Sequence, residues 1–354
     1  MIRYLPGQNL VDDDAHALVN TVNTDGYMGK GLALDMRKKF PEVMDAYRAA
    51  CHDGRLQPGG IQVLPLPEGR SLLNVATKQH WRGSSRYEWA GPGLIHLNRC
   101  LCEKRPDIRS VAVPPLGCGN GKLDWTRVHR MTRSYLKLAA ANGVDIRLHA
   151  EEPAAVEDPV FFAGVGSRET PDPVLSVMQE TGALLAADGW RLRSGGAIGA
   201  DTAFWEGART AGLPMEIFVI ENRPEIPGAI LGVPEPHRRM VRSVHPAPHR
   251  LGQKGMMLMA RNGAQVFGLD FTRPSDCVIC WTVGGSGKGG TGQAIRLATM
   301  VGIPVLDLGR KDLAGITAPE VAVLARDLVA AHRAAIGIPM PARAAQAELH
   351  APAP

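Results

Sequence analysis

The chemistry of this chain concentrates in one stretch, LNVATKQHWRGSSRYEW, running from Leu73 to Trp89. An apolar run through Leu72, Leu73 and Val75 reads as a buried strand, and it ends in Thr77, Lys78, Gln79, His80, Trp81 and Arg82. That tip holds an amine able to act as a nucleophile, a titratable imidazole, a large stacking surface and a guanidinium. On α/β scaffolds such groups sit in loops at strand ends, where ligands bind. The same residues also fit a solvated loop with Trp81 folded back onto the core.

Two glycine-rich loops must accompany this tip. Residues 16–22, HALVNTV, read as a strand, and the chain continues as NTDGYMGKGLALDMRKKF. Gly26, Gly29 and Gly31 make a turn, and Leu32, Met36 and Phe40 then recur at helical spacing. A glycine loop that opens a helix after a strand presents backbone N–H groups suited to phosphate. Asn20 and Asn23 stand where an amide reaches a ribose or base. Further on, Tyr87–Cys102 reads as a helix, Val111–Val113 as a strand, Pro114–Gly121 as the second glycine-rich loop, Trp125–Ala139 as a helix and VDIRLHA as a closing strand. The order is strand, loop, helix, repeated. Both glycine loops then face one crevice at the strand C-termini.

With 354 residues, the chain has room for two domains. Apolar residues make up 45%, aromatics only 5%, and Gly (40) and Pro (27) are abundant, which favours an α/β protein over a β-sandwich. The net charge of +5 permits contact with nucleic acid or nucleotides without demanding it. The six cysteines form no metal or disulfide pattern; the lone CxxC, Cys277 and Cys280, lies inside an apolar strand, so no metal site is expected. The N-terminus lacks a signal-peptide core, and no apolar run approaches membrane-spanning length. A cytoplasmic protein with no membrane partner is expected.

Residues 151–159, EEPAAVEDP, are acidic and proline-interrupted, and read as a linker. A second set of units follows. VFFAGVGSR is strand then loop, WRLRSGGAIGAD is strand then loop with a helix capped near Asp201, LPMEIFVI is a third strand, and DCVICWTVGGSGKGGTGQA is strand, loop and helix. Residues 222–252 read as an insertion or lid, Gln253–Asn262 as a short helix, and IPVLDL as the closing strand. GSGKGGTG lacks the Lys-Ser/Thr ending of a P-loop, which argues against ATP hydrolysis.

VNTVNTDGYMGKGLALDMRKKFPE, NVATKQHWRGSS and VAVPPLGCGNGKLDW together resemble a macrodomain, most of all the DarG-type DNA ADP-ribosyl glycohydrolases. The resemblance covers about residues 1–150. It implies a three-layer α/β/α fold that holds ADP-ribose, no cofactor, and removal of ADP-ribose from thymidine in DNA modified by a DarT-like toxin. Gly29, Lys30 and Gly31 would then lie near the distal ribose and diphosphate. Asn20 or Asn23 would face the ribose, Thr77 would line the site, and Gly117, Cys118, Gly119 and Asn120 would offer N–H groups to the phosphates. Lys78 matches the catalytic lysine. A neutral amine can attack the anomeric carbon or its ring-opened aldehyde, which requires a lowered pKa, with Arg82 and Lys30 as sources of charge. Alternatively the amine stays protonated and stabilises developing negative charge. The place of the assisting acid falls on Gly121, leaving His80 and Asp124 as candidates. Trp81, Arg82 and Arg86 are the residues expected to grip single-stranded DNA or a flipped-out base.

In the second half, GVGSR, SGGAIGAD and GGSGKGGTGQA resemble the SLOG superfamily, which includes DprA-like and LOG-like domains. The resemblance implies a Rossmann-like sheet with Gly166, Ser167, Arg168, Gly195, Gly196, Gly290 and Thr291 around a nucleotide or ADP-ribose-like ligand. Gln293 stands where LOG enzymes carry a glutamate, so binding is favoured over hydrolysis. The expected architecture is α/β throughout: a macrodomain over 1–150, a linker over 151–159, a Rossmann-like domain over 160–336 and a disordered tail over 337–354. Two other functions suit the same residues: a non-catalytic reader or sink for ADP-ribose-derived signals in phage–host defence, and a DprA-like protein that processes single-stranded DNA.

Overall fold

The computed structural model describes residues 2–156 and 158–341, so the end of the expected tail, from 342 onward, lies outside the described residues. The chain divides into two compact units. The first holds the N-terminal residues up to Ala155 together with Phe267–Pro274 and Met300–Gly302, and the second holds the remainder.

The first unit contains β1 (Ile2–Tyr4), β2 (Ala17–Val22), α1 (Gly31–Lys39), α2 (Val43–His52), β3 (Ile61–Pro65), β4 (Ser71–Ala76), α3 (Tyr87–Arg99), β5 (Ser110–Val113), α4 (Trp125–Ala141) and β6 (Asp145–Leu148). Its sheet runs β1-β6-β5-β2-β4-β3, parallel except for β3 against β4. The central strands are apolar on both faces because helices cover both. Leu18 and Val22 of β2, with Leu72 and Ala76 of β4, pack in one buried cluster with Met36 of α1 and Tyr47 of α2. On the other face Val75 meets α3 where the helix has Gly93; a Cβ there would stand 2.5 Å from Val75 Cγ1. The helical run expected from Leu32 breaks at Phe40, whose φ of −129° leaves helical space just before Pro41, and α2 begins at Val43.

The second unit contains β7 (Phe161–Gly166), α5 (Asp172–Ala187), β8 (Arg191–Ser194), α6 (Ala200–Ala208), β9 (Glu216–Val219), β10 (Ile230–Leu231), α7 (Glu235–Val244), α8 (Gln253–Phe267), β11 (Cys277–Trp281), α9 (Thr291–Met300), β12 (Val305–Asp307) and α10 (Ala318–Ala335). All its strands are parallel, in the order β10-β9-β8-β7-β11-β12. Residues 222–252 contribute β10 and α7, and the short helix expected from Gln253 extends to Phe267. Phe162, Phe204, Ile279, Val321 and Val329 anchor the core. The fully buried Arg333 of α10 pairs with Asp158 at 3.0 Å and Asp276 at 3.1 Å, so this helix is pinned by charge as well as by apolar contact. Among the described residues no helix is long and apolar enough to cross a membrane.

Candidate functional site

β2, β4 and β5 lie side by side and parallel, so the loops after Val22, Ala76 and Val113 leave one edge of the sheet. The N–H groups of Thr77 and Lys78 both donate to the Val22 carbonyl, at 3.1 and 3.3 Å, which ties the β4 loop to the end of β2. From there Lys78 Nζ donates to the backbone carbonyl of Asn120, 2.7 Å away in the second glycine loop. Asn120 in turn lies against Gly31, where φ is +59° and a Cβ would come within 2.7 Å of Asn120 Nδ2. The three loops therefore meet around one amine.

Burial, then the like charges of Lys122 and Lys30, hold the Lys78 pKa below the ordinary 10.5 of lysine. Its hydrogen-bond partner is a neutral carbonyl rather than a carboxylate. Arg82, expected to supply part of this charge, instead lays its guanidinium 4.5 Å from the Trp81 ring centre.

Both glycine loops carry unengaged donors. Among the described residues, the N–H groups of Gly29, Lys30 and Gly31, and those of Gly119 and Asn120, make no hydrogen bond within the chain. Space above them is open too: a Cβ added at Gly29 or Gly119 would meet nothing within 4 Å. The neighbouring residues serve the loop itself. Cys118 donates its N–H to the Pro115 carbonyl at 3.1 Å, and burial, with the nearby Asp124 charge, pushes its thiol up to about 12. Gly117 has φ +72°, and a Cβ added there would stand 2.9 Å from Ser85 Cβ and Oγ.

Several expected site residues have other tasks. Asn20 is fully buried on the face between the sheet and the first two helices. It donates to Asn74 Oδ1 at 3.0 Å and to Met28 Sδ at 3.8 Å, so it does not face a ribose. Asn74 passes the chain on to Gln62 at 3.1 Å, and Gln62 to the Ala46 carbonyl at 3.0 Å. Asn23 is buried and builds its own turn, accepting from the N–H of Asp25 at 3.0 Å and donating to the Tyr27 carbonyl at 2.6 Å. Thr77 is buried, and its hydroxyl accepts from Ser85 at 3.1 Å.

The acid positions are equally committed. A Cβ at Gly121 would stand 2.2 Å from the Gly117 carbonyl oxygen and 2.3 Å from Ser85 Oγ, so the loop has no room for a side chain there. Asp124 caps α4, accepting from the Arg127 N–H at 3.0 Å. His80 lies 3.5 Å from Asp25 and stacks on Trp81. Arg86 rests over Trp89, 4.9 Å from its ring centre. The sequence reading missed Ser85, which fills the space beneath the second loop, and Tyr27, whose ring lies 6.1 Å from that of Trp81. A residue's place beneath another loop leaves no local sequence signal.

In the second unit a cavity of about 260 Å³ opens where β7, β8 and β9 end, lined by residues including Arg168, Gly195, Ala197, Glu221, Arg223, Lys254 and Arg261. Arg168 and Gly195 were expected there; the charges from later in the chain were not. Asp201, at the second position of α6 rather than capping it, accepts from the Gly166 N–H at 3.2 Å and pairs with Arg261 at 3.3 Å. The Gly166 N–H is thus consumed internally, and Ser167 Oγ accepts from the Glu169 N–H at 3.1 Å. Gly196, with φ +61°, faces Ile226, Gly290 accepts from Asn262 at 2.7 Å, and Thr291 opens α9; these three are not among the cavity's lining residues.

A largely parallel sheet with two glycine loops and a lysine at one edge defines an α/β unit with a candidate ligand crevice. Residues 19–132 match the Macro domain family, and the N-terminal unit has the macrodomain α/β fold. Over this part the chain is similar to the DNA ADP-ribosyl glycohydrolase of Thermus aquaticus, 43% identical over 162 residues that cover 45% of this chain and 42% of that one. The Mycobacterium tuberculosis protein of the same name is 42% identical over 148 residues, 41% of each chain. Among solved structures, the macrodomain of Thermus aquaticus DarG is similar at 40% identity and a TM-score of 0.38, over 43% of this chain and 99% of that one. The chain thus spans about two fifths of the length of the curated relatives it matches.

Proposed function

We propose that the N-terminal unit is a hydrolase that releases ADP-ribose from thymidine-linked ADP-ribosylated DNA, reversing a DarT-like toxin. The observation that carries this reading is the Lys78 amine, poised on the Asn120 carbonyl between two rows of unengaged N–H donors. Those donors and the open space at Gly29 and Gly119 suit a diphosphate, and the amine then stands beside the sugar. The names of the relatives support the same substrate class.

In this reading the Lys78 lone pair forms a bond to the anomeric carbon as the bond to the base nitrogen breaks, the electron pair leaving with the base. Water then replaces the amine, and ADP-ribose departs. The second unit takes a nucleotide-derived anion in its cavity beside Arg168, the other lining cations, Arg223, Lys254 and Arg261, being paired with Glu225, Glu221 and Asp201.

The experiment is release of ADP-ribose from an ADP-ribosylated oligonucleotide. Lys78→Ala lowers the rate by on the order of 10²–10⁴-fold while ADP-ribose binding persists. Equal release by both proteins overturns the assignment. If neither releases ADP-ribose but both bind it, the unit is a reader.

A further inference from the structure

We propose that Tyr27 and Trp81 form a stacking shelf for an unpaired nucleobase beside the modified nucleotide; the substrate assignment rests on the hydrolase reading above. Aromatic residues make up only 5% of this chain. Among the described residues, Tyr27 at 60% exposure and Trp81 at 45% are the large aromatic side chains left in solvent. Both stand at the Lys78 edge of the sheet, Tyr27 on the loop after β2 and Trp81 on the loop after β4.

The exposure is built in. Asn23 fixes the turn that carries Tyr27. Thr24 donates its N–H at 3.1 Å and its hydroxyl at 3.0 Å to the Gln79 carbonyl, and the Trp81 N–H donates to Asp25 Oδ2 at 3.0 Å. These bonds stitch the two loops together through backbone groups and two short polar side chains and leave both rings outside. Burying either ring would be favourable by area alone, so holding them out requires this framework. The rings are 6.1 Å apart and tilted by 40°, which leaves no slot for a base between them. A base lies instead across their outer surface. The Arg82 guanidinium lies over the Trp81 ring, 4.5 Å from its centre, so the base takes the part of the shelf it leaves uncovered and Arg82 supplies positive charge for the adjoining phosphate. A base paired within a duplex cannot offer its face, and an ADP-ribosylated peptide has no base beyond the adenine of the ADP-ribose itself. The shelf therefore selects modified single strands.

The test compares kcat/KM for an ADP-ribosylated single-stranded oligonucleotide with kcat/KM for ADP-ribosylated thymidine. Tyr27→Ala and Trp81→Ala each lower the ratio of the two by about tenfold, chiefly through KM for the oligonucleotide. Trp81→Phe and Tyr27→Phe restore most of it. An unchanged ratio in both alanine variants overturns the shelf while leaving the hydrolase reading intact. A second measurement separates the two ideas fully: fluorescence-anisotropy binding of the same modified oligonucleotide. Should wild type release nothing, yet bind that oligonucleotide more tightly than free ADP-ribose, with the surplus lost in Trp81→Ala, the hydrolase reading falls and the shelf stands. No surplus in wild type overturns the shelf.

Discussion

Lys78 Nζ donates to the Asn120 carbonyl at 2.7 Å, so the amine of one loop is held by the backbone of another. A neutral acceptor orients the ammonium without fixing its proton by an opposing charge. Burial and the nearby Lys122 and Lys30 make the neutral amine easier to reach.

The pH profile follows with a definite sign. A pKa below 10.5 means that Lys78 loses its proton at a lower pH than a free lysine. If the lone pair does the chemistry, kcat/KM climbs with pH through that value and then levels. Lys122→Met removes a like charge and moves the climb to higher pH. A rate that falls with pH over the same range assigns Lys78 to charge stabilisation instead.

Gly29→Val and Gly119→Val separate binding from folding. The chain itself leaves open space at both positions, and neither has positive φ. Thermal stability changes little, while affinity for ADP-ribose drops at least tenfold by calorimetry. Retained affinity in both variants removes the two loops from the ligand site.

Gly121→Asp cannot install an acid. Its side chain would collide with the Gly117 carbonyl and Ser85 Oγ. The variant loses about 1–3 kcal/mol of stability in denaturant unfolding, and release is not accelerated. A stable, faster Gly121→Asp protein would show that the loop is softer than its contacts imply.

Arg333→Met breaks the buried group with Asp158 and Asp276 by removing the guanidinium that pairs with both. The cost is about 3–5 kcal/mol. Hydrogen exchange should locate the loss in β7–β12, with β1–β6 spared.

Much of the architecture was legible because it repeats. Apolar runs ending in glycine loops mark β2, β5, β7, β8 and β11 in the sequence itself. β1 escaped because three residues carry no period, and its partner, β6, lies far along the chain. The weak contrast of the Ala-rich α10 hid it in the same way. At the site, Lys78 and the two loops were readable from residue type and order. What was not readable is where each amide spends its hydrogen bonds. Asn20 and Asn23 look alike in sequence, yet one is sunk under the sheet and the other shapes a turn. Nor could sequence show that Ser85 occupies the volume an acid at position 121 would need.

The closure of the second loop at Gly121 also bears on the hydrolase reading proposed above. With that position sealed, Asp124 spent on a helix end and His80 shared with Asp25, a departing group receives little help in taking up a proton. In that hydrolase reading, substrates whose leaving nitrogen delocalises its own negative charge, as an imide does between two carbonyls, would be cleaved in preference to alkoxides or guanidines. Leaving-group acidity thereby becomes a second filter on substrate choice, written into the backbone rather than into any side chain.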